Sequence, residues 1–268
     1  MKKLIVLLLV GLTLVGCGTK PAPEKELEKL VIGGTSLPHA EFLRQLKDPL
    51  KELGYDLEVK EFDDYVLPNE ALDNGNLDAN FFQHIPYLED FNETKGTKLS
   101  PLLKVHYEPI ALYGGLKDSL ETVAANDTVL VPDDATNLPR ALKLLESFGW
   151  IELNDNKDTA TLKDIVKNIK EIKIELVSAE NIAKLLDNAE YGVVNANYAL
   201  TSNITERGIK AETVTEDVIK DIVNVVAVRT GEENSEKSKA ILKAFEDPKV
   251  VEYIKTKYTP AVISVLGE

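Results

Sequence analysis

The sequence has few of the residues that hold small domains together covalently or through metal ions. Its 268 residues include one cysteine, one tryptophan and three histidines. Because Cys17 is the only thiol, neither disulfides nor clustered cysteine ligands can stabilise the chain, so stability must come from a packed core. The hydrophobic fraction of 44% is sufficient for such a core.

The motifs of common reaction centres are also missing. The chain contains no G-x-S-x-G, G-x-x-x-x-G-K-[ST], H-E-x-x-H or C-x-x-C pattern. Gly33-Gly34-Thr35-Ser36 is only a weak match to a phosphate-binding loop, because it lacks a second spaced glycine. A net charge of −14 disfavours nucleic acid as a partner and provides no basic patch for lipid headgroups. These absences argue against an enzyme and predict no cofactor.

The N-terminus has the pattern of a secretory signal. Lys2 and Lys3 precede an apolar run, Leu4–Val15, which is too short to cross a bilayer core of roughly 20 helical residues. The run ends in LVGC, which resembles the lipobox of bacterial lipoproteins, whose cysteine is lipidated. We therefore predict a signal peptide over residues 1–16, and a lipidated N-terminus at Cys17 with a polar tether over residues 17–28. An ordinary signal peptide with an incidental cysteine is the alternative.

Beyond the tether, apolar patterns of strand and helix alternate along the chain. The predicted strands are Leu30–Gly34, Leu57–Phe62, Val129–Val131, Ile172–Val177, Tyr191–Val194 and Val223–Val228. The predicted helices are Ala40–Leu53, Leu138–Phe148, Glu180–Leu186, Ser235–Glu246 and Pro248–Lys257. This alternation predicts an α/β fold with mostly parallel sheets, which binds ligands beyond the carboxyl ends of its strands.

Three polar segments follow predicted strands, over residues 34–41, 77–88 and 132–142. Alternation in the second segment places Asn80, Phe82 and His84 on one face. In the third, Asn137 is a candidate N-cap and Arg140 falls in the first helical turn. A cation there opposes the helix dipole, so Arg140 is better explained by a bound anion than by helix stability. A solvent-exposed arginine is the alternative.

These segments resemble the methionine-binding lipoprotein family, which comprises substrate-binding proteins of bacterial ABC importers. The matching stretches are GTSLPHAE, EFDDYVLPNEAL, LDANFFQHIPYLE, KVHYEP, DATNLPRAL, VVNANYAL and VNVV. Ser36 and Asp133 depart from the family's usual proline and asparagine, at positions without an assigned ligand contact. The likeness covers nearly the whole mature chain.

The resemblance implies two α/β lobes joined by two crossover strands, a type II periplasmic-binding-protein-like fold with its ligand in the interlobe cleft. Lobe 1 is expected to comprise residues 29–110 plus 220–268, and lobe 2 residues 111–219. The crossings are expected near Glu108–Leu112 and Thr213–Ile222. The implied partners are a free amino acid, typically L-methionine, and an ABC permease with its ATPase. The implied location is the extracytoplasmic face of the cell membrane, reached through the lipid anchor alone.

Ten residues are predicted to contact the ligand: Tyr65, Asn80, Phe82, His84, Tyr87, Glu108, Asn137, Arg140, Asn195 and Asn224. Arg140, with helix amides on the Asn137 side, can hold the α-carboxylate as a bidentate cation. The α-ammonium needs hydrogen-bond acceptors, which Asn195, Asn224 and Glu108 can offer. Aromatic rings with His84 can form a slot for the thioether.

Each assignment has a structural alternative. Phe82 and Tyr87 can be core residues, and asparagines near strand ends often satisfy buried backbone groups. We predict structural roles for Asn197 and Tyr198.

Two other classes of protein remain open. A zinc- or manganese-binding lipoprotein would require His39, His84 and His106 to converge, although no pair has ligand spacing. An exported enzyme or adhesin would rest only on scattered carboxylates.

Overall fold

The computed structural model describes residues 26–155, 157–213 and 215–267. The predicted signal peptide, Cys17 and most of the tether lie outside the described residues. Within the described part of the chain, no helix combines the length and apolar character needed to cross a membrane.

Thirteen strands and ten α-helices form in the described residues. The strands are β1 Glu28–Thr35, β2 Tyr55–Phe62, β3 Ala79–His84, β4 Leu99–Tyr107, β5 Ala111–Gly114, β6 Thr128–Pro132, β7 Ile151–Leu153, β8 Ile165–Asn168, β9 Lys173–Val177, β10 Tyr191–Val194, β11 Gly208–Ala211, β12 Asn224–Arg229 and β13 Ile263–Ser264. The helices are α1 Glu41–Gln45, α2 Lys47–Glu52, α3 Leu67–Asp73, α4 Ile85–Lys95, α5 Asn137–Ser147, α6 Ala179–Leu185, α7 Ala196–Thr201, α8 Glu216–Asp221, α9 Glu236–Phe245 and α10 Pro248–Thr256.

The strands form two large sheets, one in each lobe of the fold. The first has the order β13-β4-β12-β3-β1-β2 and the second the order β11-β5-β10-β6-β9, while β7 and β8 make a separate hairpin. The chain passes from the first sheet to the second between β4 and β5, and returns between β11 and β12 through α8. The predicted two-lobed α/β architecture is confirmed.

The prediction of mostly parallel sheets is wrong, because both sheets are mixed. In the first, β1 is parallel to β2 and β3, but β12 is antiparallel to β3 and β4. In the second, β6 is parallel to β9 and β10, but β5 is antiparallel to β10 and β11. The antiparallel strands flank the connections between the lobes. The chain leaves the first sheet along β4 and returns to it along β12. Because β12 lies beside β4, the two strands run in opposite directions.

The predicted helix Ala40–Leu53 is interrupted at Leu46, where α1 gives way to α2. Pro49 causes the break, because it has no N–H to donate to the preceding turn and its ring crowds the carbonyl four residues earlier. By contrast, α5 lies within one residue of its prediction at each end. It stops before Gly149, whose φ of 70° suits a residue without a side chain.

Each sheet packs its own apolar core. The core of the first sheet surrounds Phe42 and Leu43 of α1 and Phe81 of β3, all fully buried. The core of the second surrounds Trp150, whose ring centroid lies 5.0 Å from that of Tyr191. Apolar contacts also cross between the lobes, since Leu200 of α7 packs against the first core and Tyr65 packs against a buried cluster of the second lobe.

Candidate ligand-binding site

A cavity of about 20 Å³ lies between the two sheets. That volume has room for about one water molecule, so the space must widen before it can hold a larger ligand. Its wall combines residues from both lobes. His84 Nε2 lies 3.3 Å from Asn137 Oδ1, and the Tyr65 hydroxyl donates to Asn197 Oδ1 at 2.6 Å. Side chains of the two lobes therefore contact each other across the cavity.

Nine of the ten predicted residues line this cavity: Tyr65, Phe82, His84, Tyr87, Glu108, Asn137, Arg140, Asn195 and Asn224. Gln83 and Asn197 line it as well, although neither was predicted to contact the ligand. These positions place the residues in one site, while their individual contacts with a ligand stay predictions.

Asn80 is the predicted residue that does not line the cavity. It is fully buried, and its amide nitrogen donates to Asn69 Oδ1 at 2.8 Å and to the carbonyl of Pro68 at 3.1 Å. Gln83 joins the same network by donating to Asn69 Oδ1 at 2.7 Å. Asn80 therefore ties β3 to α3, and its hydrogen-bonding groups are used within the protein.

Asn137 connects several polar side chains of the site by hydrogen bonds. Its amide nitrogen donates to both oxygens of Asp134, at 3.1 and 3.0 Å. A carboxylate can only accept, so the Oδ1 of Asn137 must face the other way. There it accepts from Arg140 Nη1 at 3.1 Å and from Asn195 Nδ2 at 3.0 Å.

The predicted N-cap at Asn137 is wrong, since this residue is the first of the helix. Asp134 Oδ1 accepts from the backbone N–H of Asn137 at 2.8 Å and from that of Thr136 at 3.1 Å. Asp134 therefore already satisfies two backbone amides at the start of α5, on the side where helix amides were expected to hold a ligand carboxylate. Its negative charge also favours the helix N-terminus.

Arg140 is partly buried and lines the cavity, but much of its guanidinium is already engaged. Nε donates to Glu212 Oε2 at 3.4 Å, and Nη2 donates to Glu212 Oε1 and, at 3.0 Å, to the carbonyl of Glu108. Only the Nη1 end, beside Asn137, remains directed away from this pair. The predicted bidentate clamp on a carboxylate is therefore not available in this arrangement.

Two polar atoms in the cavity wall have no hydrogen-bond partner among the described residues. They are Asn195 Oδ1, an acceptor, and Asn197 Nδ2, a donor, and both are buried. An unsatisfied buried polar atom costs about 1–3 kcal/mol, so each calls for a partner of opposite polarity. One acceptor and one donor on residues that line a single cavity match an ammonium and a carboxylate.

Glu108 brings a carboxylate to the same wall from the first connection between the lobes. Its Oε1 accepts from His106 Nε2 at 2.7 Å, and its Oε2 accepts from the backbone N–H of Asn197 at 3.1 Å. Burial raises the pKa of Glu108, against the opposing effects of His39 and Arg140. A cation placed beside this carboxylate would hold it ionised.

Aromatic rings form another part of the cavity wall. The Tyr65 ring centroid lies 5.8 Å from that of Phe82 and 5.6 Å from that of Tyr87. Phe82 is 2% exposed and forms a small buried cluster with Tyr87 and Phe91. The site thus has a polar end and an aromatic end, as an amino acid with an apolar side chain requires.

The model of the NlpA lipoprotein family matches residues 30–266. The chain belongs to the NlpA lipoprotein family. The family predicted from the sequence motifs is confirmed.

Several relatives of this NlpA lipoprotein have names or structures that mention methionine. The chain is 36% identical to the methionine-binding lipoprotein MetQ of Bacillus subtilis over 99% of both chains. It is 35% identical to the D-methionine-binding lipoprotein MetQ of Escherichia coli K12, over 91% of this chain and 90% of the relative. A nutrient binding protein from Burkholderia cenocepacia, solved bound to methionine, superposes with a TM-score of 0.81 at 33% identity. That match covers 88% of this chain and 99% of the other.

The three histidines of this NlpA lipoprotein do not converge on one site. His84 Nδ1 accepts from the backbone N–H of Tyr87 at 3.1 Å, within the cavity. His39 and His106 lie instead with Glu108, and their ring centroids are 5.1 Å apart. Burial lowers the pKa of His39 to about 4 and that of His106 to about 3, so both are neutral at physiological pH. His84 is therefore separate from the other two histidines, whereas His39, His106 and Glu108 place three potential ligand atoms within 4.8 Å of one another.

Proposed function

We propose that this NlpA lipoprotein captures free methionine outside the cytoplasm and delivers it to an ABC importer. The two unpartnered atoms in the cavity wall carry the proposal. The ligand ammonium would donate to Asn195 Oδ1 and lie beside Glu108, while its carboxylate would accept from Asn197 Nδ2 and Arg140 Nη1. An α-amino acid supplies both groups on one carbon, which suits donors and acceptors lining one small cavity.

The aromatic end of the cavity supports methionine over other amino acids. A thioether is polarizable, and each sulfur–ring contact contributes about 0.3–1.5 kcal/mol. Tyr65, Phe82 and Tyr87 offer three such rings around one space. The methionine named for the relatives from Bacillus subtilis and Burkholderia cenocepacia agrees with this chemistry.

Lobe movement about the two connections would admit and enclose the ligand. The strand assignments support boundaries near those expected, since β1–β4 with β12–β13 form one sheet and β5, β6 and β9–β11 the other. Closure would bury the ligand and create the surface that an ABC permease with its ATPase recognises. The protein itself would carry out no reaction.

We expect Phe82→Ala to reduce methionine binding much more than alanine binding. The ring contributes apolar burial and a sulfur contact only to the longer ligand, so methionine affinity should fall about tenfold and alanine affinity less than threefold. Calorimetry on protein stripped of ligand by unfolding and refolding would measure both. Phe148→Ala, which removes a ring packed on Trp150 away from the cavity, is the matched control.

The same titrations test the proposed function. Wild-type protein should bind methionine more tightly than alanine. If stripped wild-type protein bound neither, and native protein carried no amino acid by mass spectrometry, the proposal would be refuted.

Cys17 is proposed to anchor the mature chain through attached lipid. Replacing it with serine removes the thiol that is acylated, so Cys17→Ser protein should leave the membrane fraction yet bind methionine like wild type. Two or more acyl chains hold a protein stably, whereas a polar N-terminus does not. Fractionation after a high-salt wash would measure this. Variant protein that still pelleted with membranes would show that the anchor lies elsewhere.

A further inference from the structure

Glu212 lies at the start of the second connection between the lobes and was not among the predicted site residues. Its side chain is 11% exposed and that of Arg140 is 10% exposed, so the pair is largely removed from water. A buried charge is retained when it is paired and hydrogen-bonded. The surroundings of Glu212 therefore show what its charge is used for.

Glu212 joins both connections to the ligand cavity. Its Oε1 accepts from the Tyr107 hydroxyl at 2.8 Å and from the backbone N–H of Ile110 at 3.0 Å, both at the first connection. Its two oxygens also accept from Nε and Nη2 of Arg140. One carboxylate thus fixes the guanidinium relative to both crossings of the chain.

This pairing has two effects on the carboxylate end of the cavity. It occupies the Nε–Nη2 edge of Arg140 and leaves the Nη1 end toward the ligand, between Asn137 and the cavity. It also balances the positive charge of the guanidinium with the negative charge of the carboxylate. Burial acts to raise the pKa of Glu212, but Arg140 and the hydrogen bonds outweigh it and lower that pKa. The pair therefore stays ionised at neutral pH.

With the charge of Arg140 balanced by Glu212, Glu108 supplies the carboxyl group among the described residues that line the cavity. Asp134, which holds Asn137, adds a second carboxyl group close to it. A ligand that brings its own ammonium satisfies these carboxylates. A ligand that is only an anion meets them without a counter-charge.

We infer that Glu212 is a positioning residue that makes the site select zwitterionic amino acids over the corresponding carboxylic acids. The inference rests on the proposed function and adds the charge requirement of its ligand. If Glu212 had only a structural role, replacing it would change the affinities of all ligands of the site by the same factor. Selectivity between a zwitterion and an anion of the same shape therefore separates the two roles.

The test compares methionine with 4-(methylthio)butanoate, which lacks only the amino group. Calorimetry at neutral pH would give the affinity ratio of the two ligands for each folded variant. Glu212→Gln removes the compensating charge and leaves Arg140 as an unpaired cation, so the preference for methionine should fall about tenfold or more. Glu146→Gln, which removes a carboxylate paired with Lys157 on the surface of the same lobe, should leave the ratio unchanged.

Glu212→Asp keeps the charge but shortens the reach to Arg140. Its methionine affinity should fall while the ratio stays within about threefold of wild type, since the ratio depends on charge. An unchanged ratio in Glu212→Gln, or a tenfold loss of preference in Glu212→Asp, would overturn the inference and leave methionine binding intact. If Glu212→Gln does not fold, the inference can still be overturned by a tenfold loss of preference in Glu212→Asp. Wild-type protein that binds no amino acid would instead refute the proposed function, and this inference with it.

Discussion

Arg140→Ala should lower the affinity for methionine by about a hundredfold or more. A hydrogen bond to a charged group is worth about 1.5–3 kcal/mol, and the ligand carboxylate would also lose its only cationic neighbour in the described cavity wall. The loss should be similar for every α-amino acid, because all carry the same carboxylate. Calorimetry with methionine and alanine on ligand-stripped protein would measure it.

The same substitution should also destabilise the fold, because Glu212 would be left buried without its partner. Removing one member of a buried pair costs about 3–5 kcal/mol, so circular dichroism must accompany the titration. Arg140→Lys, which keeps the charge but not the fork, should give an intermediate affinity. Arg44→Ala removes an exposed pair with Glu61 and serves as the control. Tight methionine binding by folded Arg140→Ala protein would show that the carboxylate binds elsewhere.

Phe81→Ala should reduce the free energy of unfolding by about 3–5 kcal/mol, the cost of replacing a fully buried phenylalanine. Phe81 has no exposed surface, and its ring centroid lies 4.7 Å from that of His39 and 5.3 Å from that of His106. A cavity there would also loosen the imidazoles behind Glu108. Urea unfolding would measure the change.

Val166→Ala is the control for this experiment, since Val166 is 61% exposed and should change stability little. Equal unfolding midpoints for wild type and Phe81→Ala would contradict the prediction that the Phe81 ring stabilises the first core.

Local patterns in the sequence predicted the elements with clear apolar periods. β10 has the predicted bounds, and α5 ends before the glycine that marks its stop. Pro49 was visible in the sequence, yet the leucine period around it masked the break between α1 and α2. Strand direction was not predictable from these patterns, because it depends on which strands carry the chain between lobes.

The site was harder to predict where it depends on distant pairing. Glu212 and Arg140 are 72 residues apart, and no local pattern connects them. Alternation along β3 separated Gln83 from Phe82 and His84, but β3 ends at His84 and α4 begins at the next residue. Consecutive residues therefore reach the cavity at this point. Asn197 accepts from Tyr65 and donates its backbone N–H to Glu108, while its amide nitrogen has no partner among the described residues. Only the fold brings these groups together.

The hydrogen bonds that cross the cavity have a kinetic consequence. Tyr65 with Asn197 and His84 with Asn137 join the lobes directly, so they must separate before any enclosed molecule can leave. These bonds belong to the protein and are the same whichever amino acid is inside. The residence time of a bound ligand then has a floor set by the rate of lobe opening, and substitutions at these four residues would shorten it for all ligands alike.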